Sequence, residues 1–80
     1  MSPADFILDE LTRITGTDEV RLNRDLALYD EDVLDSLGTV ELMVALGEQL
    51  KIEISPAQIT RQDWATPNKI IAYIEGRMQG

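Results

Sequence analysis

Leu34-Asp35-Ser36-Leu37-Gly38-Thr39-Val40-Glu41-Leu42-Met43-Val44-Ala45-Leu46-Gly47-Glu48-Gln49-Leu50 is the stretch on which the fold turns. Its apolar residues Leu37, Val40, Met43, Val44, Leu46 and Leu50 recur at helical spacing, which predicts a helix with these residues on one buried face. Glu41 and Glu48 point elsewhere. Asp35 or Ser36 can cap the start, because a short side-chain oxygen accepts one of the amide protons that the first helical turn leaves unpaired. Gly47 weakens the last turns by about 1 kcal/mol relative to alanine, so the end near Lys51 is expected to fray.

Upstream, Ser2-Pro3 with Asp5 reads as a helix start, and Phe6, Ile7, Leu8, Leu11 and Ile14 keep helical spacing until Thr15-Gly16. From Gly16 to Leu34 no period is sustained. Val20, Leu22, Leu26, Leu28, Tyr29, Val33 and Leu34 nevertheless supply apolar anchors, so a long packed loop is expected, and loops of that length tend to serve function. Downstream, Ser55-Pro56-Ala57-Gln58 has the capping-box arrangement and predicts a short third helix ending by Thr60. Ile59 and Trp64 should then point inward, with the Trp64 N–H paired inside the core. Thr66-Pro67 repeats the start signal, and Ile70, Ile71, Ile74 and Met78 mark one face of a last helix with Tyr73 at its edge. No segment alternates as a strand would. The expected fold is all-α: a four-helix bundle gathered around the Ser36 helix, with a long first loop and a short third helix, one domain over residues 1–80.

Composition narrows the function. The chain has 80 residues, 44% hydrophobic and 28% charged, which suits a folded domain too small for an elaborate catalytic cavity. It contains neither cysteine nor histidine, so disulfides, thiolate metal sites and the commonest general base are absent. The first residues lack a basic segment followed by an apolar one, and no run is long enough to span a bilayer, so a cytoplasmic location is expected. The net charge of −8 opposes nucleic-acid binding. That charge is concentrated: from Asp25 to Glu53 there are eight acidic residues against Lys51 alone. Such a run is either a solvated face or a docking surface for a basic partner.

Several chemistries can be weighed at Ser36. A nucleophilic serine needs a base, and there is neither a histidine nor a Ser-x-x-Lys arrangement, so hydrolysis is excluded and no catalytic residue is assigned. Asp30, Asp32 and Glu41 fall at the first, third and twelfth positions of a calcium-loop frame. Leu34 and Asp35 break that frame at its fifth and sixth positions, and no metal site is assigned. A serine at a helix start is, however, an exposed hydroxyl where an attached anion is favoured by the helix dipole and free amides.

The segment Val33-Leu34-Asp35-Ser36-Leu37-Gly38-Thr39-Val40-Glu41-Leu42 resembles the attachment motif of acyl carrier proteins, in which Asp-Ser-Leu opens a helix. The resemblance implies that Ser36 accepts 4'-phosphopantetheine from coenzyme A through a phosphopantetheinyl transferase, and that the arm's thiol carries acyl or aminoacyl groups. It further makes Asp35, Leu37, Val40, Glu41 and Glu48 candidates for partner recognition. Ile14-Thr15-Gly16-Thr17-Asp18-Glu19-Val20, the Ser36 segment, and Asp63-Trp64-Ala65-Thr66-Pro67-Asn68-Lys69-Ile70-Ile71 together look like the D-alanyl carrier proteins of Gram-positive bacteria. In that family a separate ATP-dependent D-alanine ligase loads D-alanine, which membrane transfer machinery passes toward teichoic acid. The chain is then a monomeric carrier and not itself an enzyme. Leu37 stands where these carriers often have methionine, and Ser36 through Leu42 also suits fatty-acid carriers, so that alternative stays open. An acidic helical interaction module is the reading without a carrier role, and covalent modification of Ser36 separates the two.

Overall fold

Four helices follow one another in the computed structural model, which describes residues 2–55, 57 and 59–79: α1 (Pro3–Thr15), α2 (Glu19–Leu22), α3 (Ser36–Leu50) and α4 (Pro67–Gln79). The architecture is the expected all-α bundle. α1 starts as its sequence indicates, with Ser2 Oγ accepting the Asp5 amide at 3.3 Å and Pro3 in the first turn. It stops at Gly16, whose φ of 74° is free of steric cost without a Cβ, and the Gly16 N–H donates to Thr12 O at 3.0 Å. α4 likewise begins where Thr66 Oγ1 accepts the Lys69 amide at 3.1 Å, just before Pro67.

The hub is α1 and not, as expected, the Ser36 helix: α1 packs against α2, α3 and α4. Ile7, Leu8 and Leu11 are all buried along it. α3 distributes its apolar residues differently from the expectation. Gly38, Leu42, Met43 and Leu46 are buried, whereas Leu37, Val40 and Val44 are 70%, 47% and 54% exposed. At about 100° per residue, positions 38, 42 and 46 rise along one side while 37, 40 and 44 rise along another. α3 carries more apolar residues than one face can hold, and spacing alone does not say which side α1 covers. On α4, Ile70, Ile71 and Ile74 are buried but Met78 is 44% exposed, because it lies beyond the reach of the core at the helix end. α3 runs to Leu50 and stops at Lys51 in the left-handed region, φ 55°, which sets its end where fraying was expected.

The segment between α1 and α3 is a long connector interrupted by α2, a single turn too short to leave a period in the sequence. Val20 buries beneath it, an Arg21–Asp9 ion pair ties it to α1, and Leu22, expected as an anchor, is instead 80% exposed. Beyond α2, buried Leu28 donates its N–H to Ala65 O at 2.8 Å, and its carbonyl accepts the Val33 and Leu34 amides at 2.8 and 3.0 Å. The Asn68 amide donates to Arg24 O at 2.9 Å, and its side chain reaches Asp25 at 3.0 Å. The connector is therefore stitched to the start of α4, and these backbone groups beyond α2 are paired although no regular element holds them.

The short helix expected after Ser55 involves Pro56 and Gln58, which lie outside the described residues. Ser55 Oγ does accept the Ala57 amide, at 3.3 Å. Trp64 is fully buried and meets Tyr73 edge to face, with ring centroids 6.2 Å apart and planes at 79°. Its indole N–H, expected to be paired, has no acceptor among the described residues. The ring sits in the apolar cluster that contains Ile70 and Ile74, where burial of aromatic area outweighs one unmade hydrogen bond.

Candidate functional site

Asp35 sits in extended conformation just before α3, and its Oδ1 accepts the Gly38 N–H at 2.7 Å. The cap is thus Asp35. Ser36 becomes the first helical residue, exposed, and its hydroxyl makes no hydrogen bond among the described residues. A hydroxyl at this position is accessible to a large reagent and lies at the positive end of a fifteen-residue helix.

Gly38 sets how closely other elements approach that helix start. A Cβ there would lie 2.9 Å from Leu34 Cδ1, 3.0 Å from Ile14 Cγ2 and 3.2 Å from Asp35 Oδ1. Absence of that carbon lets the end of α1 and the connector close on α3 beneath Ser36, so the serine is presented from a packed platform.

Two clefts flank the helix start. One, of about 160 Å³, is lined by Tyr29, Ser36, Thr39, Met43, Ile59, Thr60 and Arg61. Thr39 Oγ1 donates to Asp35 O at 2.8 Å, so at its 2.8 Å contact with Tyr29 the phenol is the donor. The Arg61 guanidinium lies 5.3 Å from the centre of the Tyr29 ring, a cation–π arrangement. The other cleft, of about 230 Å³, lies between Ile14, Leu34, Leu37 and Gly38 and carries Asp32, Asp35 and Glu41.

Of the residues expected to recognise partners, Leu37, Val40, Glu41 and Glu48 all lie on the outward side of α3, joined there by Val44. Asp35 stands at the head of that surface, with one carboxylate oxygen engaged in the cap. All eight acids from Asp25 to Glu53 are exposed, and among the described residues none forms an ion pair with lysine or arginine. Among the described residues no three potential ligands converge to hold a metal ion, and no helix is long and apolar enough to cross a membrane. Sequence reading missed Tyr29, Thr39 and Arg61 as neighbours of Ser36. Arg61 lies far from Ser36 along the chain, Tyr29 lies in the aperiodic connector before it with no motif linking them, and Thr39, one turn further along α3, carried no signal of its own beyond its spacing.

A small acidic helical domain that presents an exposed serine at a helix start has the arrangement of a carrier class. The family model for the phosphopantetheine attachment site matches residues 5–74. The chain is 45% identical to the D-alanyl carrier protein of Lacticaseibacillus casei, over 86% of this chain and 85% of that one. It is 43% identical to the D-alanyl carrier protein of Enterococcus faecalis, over 94% and 96% of the two chains, and 42% identical to that of Listeria monocytogenes, over 86% and 88%. The chain belongs to the phosphopantetheine attachment family and, within it, to the D-alanyl carrier proteins.

Proposed function

We propose that this chain carries D-alanine as a thioester on a 4'-phosphopantetheine arm joined through a phosphodiester to Ser36, and hands it on for D-alanylation of teichoic acid. The observation that carries this reading is the division of labour at the helix start: Asp35 caps α3 and leaves the Ser36 hydroxyl exposed and uncommitted. Leu37 and Ser36 amides at the first turn, with the helix dipole, suit the anion such a linkage places there. The thiol at the end of the arm supplies the thioester chemistry, which a chain without cysteine cannot supply itself.

The remaining residues position and present. Gly38 and the Asp35 cap hold the serine on a rigid helix end, and the outward side of α3 offers Leu37, Val40 and Val44 between Glu41 and Glu48 as a face for successive partners. Among the described residues no histidine or lysine side chain lies beside Ser36 and Asp35 is engaged in the helix cap, which supports attachment by a separate phosphopantetheinyl transferase using coenzyme A. Loading belongs to a separate ATP-dependent D-alanine ligase, and delivery to membrane transfer machinery.

Intact mass spectrometry tests the proposal. Incubation with coenzyme A and a broad-specificity transferase should add one phosphopantetheinyl group to the wild-type chain and none to Ser36→Ala. Adding D-alanine, ATP and the ligase should then add one alanyl group. An unchanged wild-type mass, or a modification that persists in Ser36→Ala, refutes it.

A further inference from the structure

Ser36 could send an attached phosphodiester toward either of the two clefts beside it, and their electrostatics differ in sign. The cleft toward α1 carries the carboxylates of Asp32, Asp35 and Glu41. Among the described residues that line the cleft beside Ser36, Arg61 is the one charged residue. We propose that Arg61 is a positioning residue for the phosphodiester on Ser36, holding the first segment of the arm in the cleft between α3 and the Ile59–Arg61 segment. This rests on Ser36 being the attachment residue.

Three features support the assignment. First, among the described residues Arg61 has no carboxylate within ion-pair distance, so its guanidinium is available to an incoming anion. Second, it is preorganised. The guanidinium lies over the Tyr29 ring, and Tyr29 is tied by its hydroxyl to Thr39, one turn after Ser36 on α3. A stacked guanidinium keeps its edge N–H groups free, and that fork matches two phosphate oxygens. Third, the surroundings make a counter-charge matter. A phosphodiester on Ser36 is repelled from the side of Asp32, Asp35 and Glu41, whereas the cleft on the other side offers the Arg61 cation, with Asp30 beyond it on the far side of Tyr29 and Arg61 in a neighbouring cleft. Arg61 makes no bond to a reacting atom of the thioester, so its role is to orient the arm.

Apo and holo wild-type protein, made with coenzyme A and a transferase, should be compared by phosphorus and proton–nitrogen NMR at low ionic strength, alongside holo Arg61→Gln and Arg61→Lys. In the wild type, attachment should displace the Arg61 side-chain Nε–H resonance and the Thr39 and Thr60 amides. In Arg61→Gln the arm's mass gain should remain, while the Thr39 and Thr60 displacements are lost and the phosphorus line sharpens toward that of free pantetheine phosphate diester. Arg61→Lys should retain part of the displacement, because charge survives but the two-pronged geometry does not. Arg61 is exposed, so both variants should remain folded, with a melting temperature lowered by no more than the few degrees that loss of an exposed cation–π contact costs. Wild-type holo protein whose shifts are confined to Asp32, Leu37 and Glu41, with the Arg61 resonance unmoved, overturns the role of Arg61 and leaves attachment at Ser36 intact. Absence of any mass gain in the wild type removes both.

Discussion

Asp35 Oδ1 holds the Gly38 amide at 2.7 Å, and the same residue's backbone oxygen accepts the Thr39 amide at 2.9 Å. Asp35 therefore closes the first turn of α3 with both its side chain and its main chain. The neighbouring serine, chemically as good a cap, is relieved of structural duty. In the dipeptide Asp35-Ser36, the first residue holds the helix and the second faces outward.

That division predicts opposite phenotypes for adjacent substitutions. Ser36→Ala should change stability by no more than about 0.5 kcal/mol, as expected for an exposed group without a bond to lose, yet abolish arm attachment. Asp35→Ala should lose about 1 kcal/mol, lowering the melting temperature by roughly 4–8 °C in a domain of this size, while still accepting some arm. Thermal melts with intact-mass measurement on both variants check this, and a Ser36→Ala variant as destabilised as Asp35→Ala would contradict it.

Gly38→Ala should destabilise even though alanine is the better helix former by about 1 kcal/mol. The new Cβ meets Leu34, which is 3% exposed and cannot withdraw into solvent, and the branch methyl of Ile14, as well as the Asp35 cap oxygen. Overpacking of this kind costs about 1–3 kcal/mol. Chemical denaturation should show a net loss, whereas a stabilised variant would mean that the α1 and connector contacts relax freely.

Trp64→Ala should remove about 3–5 kcal/mol, enough to unfold much of a domain with so small a core. Trp64→Phe is the more telling variant. It gives up part of the buried ring but also a buried N–H without a described acceptor, whose desolvation costs about 1–3 kcal/mol. Its destabilisation should therefore be well below that of alanine. If phenylalanine proves as damaging as alanine, the indole N–H is paired in solution.

Reversing charge at Glu41 and Glu48 should slow arm attachment and D-alanine loading at low salt, chiefly through association. Both side chains are exposed on the outward side of α3. The difference from wild type should shrink at 0.15 M salt, where screening acts beyond about 8 Å. Stopped-flow association rates across ionic strength distinguish this from a merely solvated face, for which rates would not change.

D-alanyl loading should leave the core undisturbed. Leu11, Leu42, Leu46, Trp64, Ile70 and Ile74 are all fully buried in one cluster. A single methyl gains only about 0.8 kcal/mol from burial, while the ammonium beside it would lose its hydration. Methyl and Trp64 indole NMR signals should barely move between holo and D-alanyl forms. Large core shifts, with ready fatty acylation and no D-alanine uptake, would favour a fatty-acid carrier.

The sequence by itself determined where α1 and α4 start, and α3 to within one residue, because capping depends on residues three positions apart, such as Ser2 and Asp5 or Thr66 and Lys69, while the structure chose Asp35 over Ser36 as the α3 cap. It also determined that Ser36 stands at a helix start in an acidic stretch. Local spacing could not decide which side of an over-apolar helix is covered. Leu37, Val40 and Val44 read as core and proved exposed, because burial depends on where α1 packs, and nothing within α3 encodes that. Nor could it show α2, a single turn held by Val20 burial and the Arg21–Asp9 pair. Only the tertiary structure brought Tyr29 and Arg61 beside Ser36, by stitching Leu28 to Ala65 and Asn68 to Arg24 across the chain. Such contacts are fixed by the closure of the whole core, so no segment read alone carries their signature.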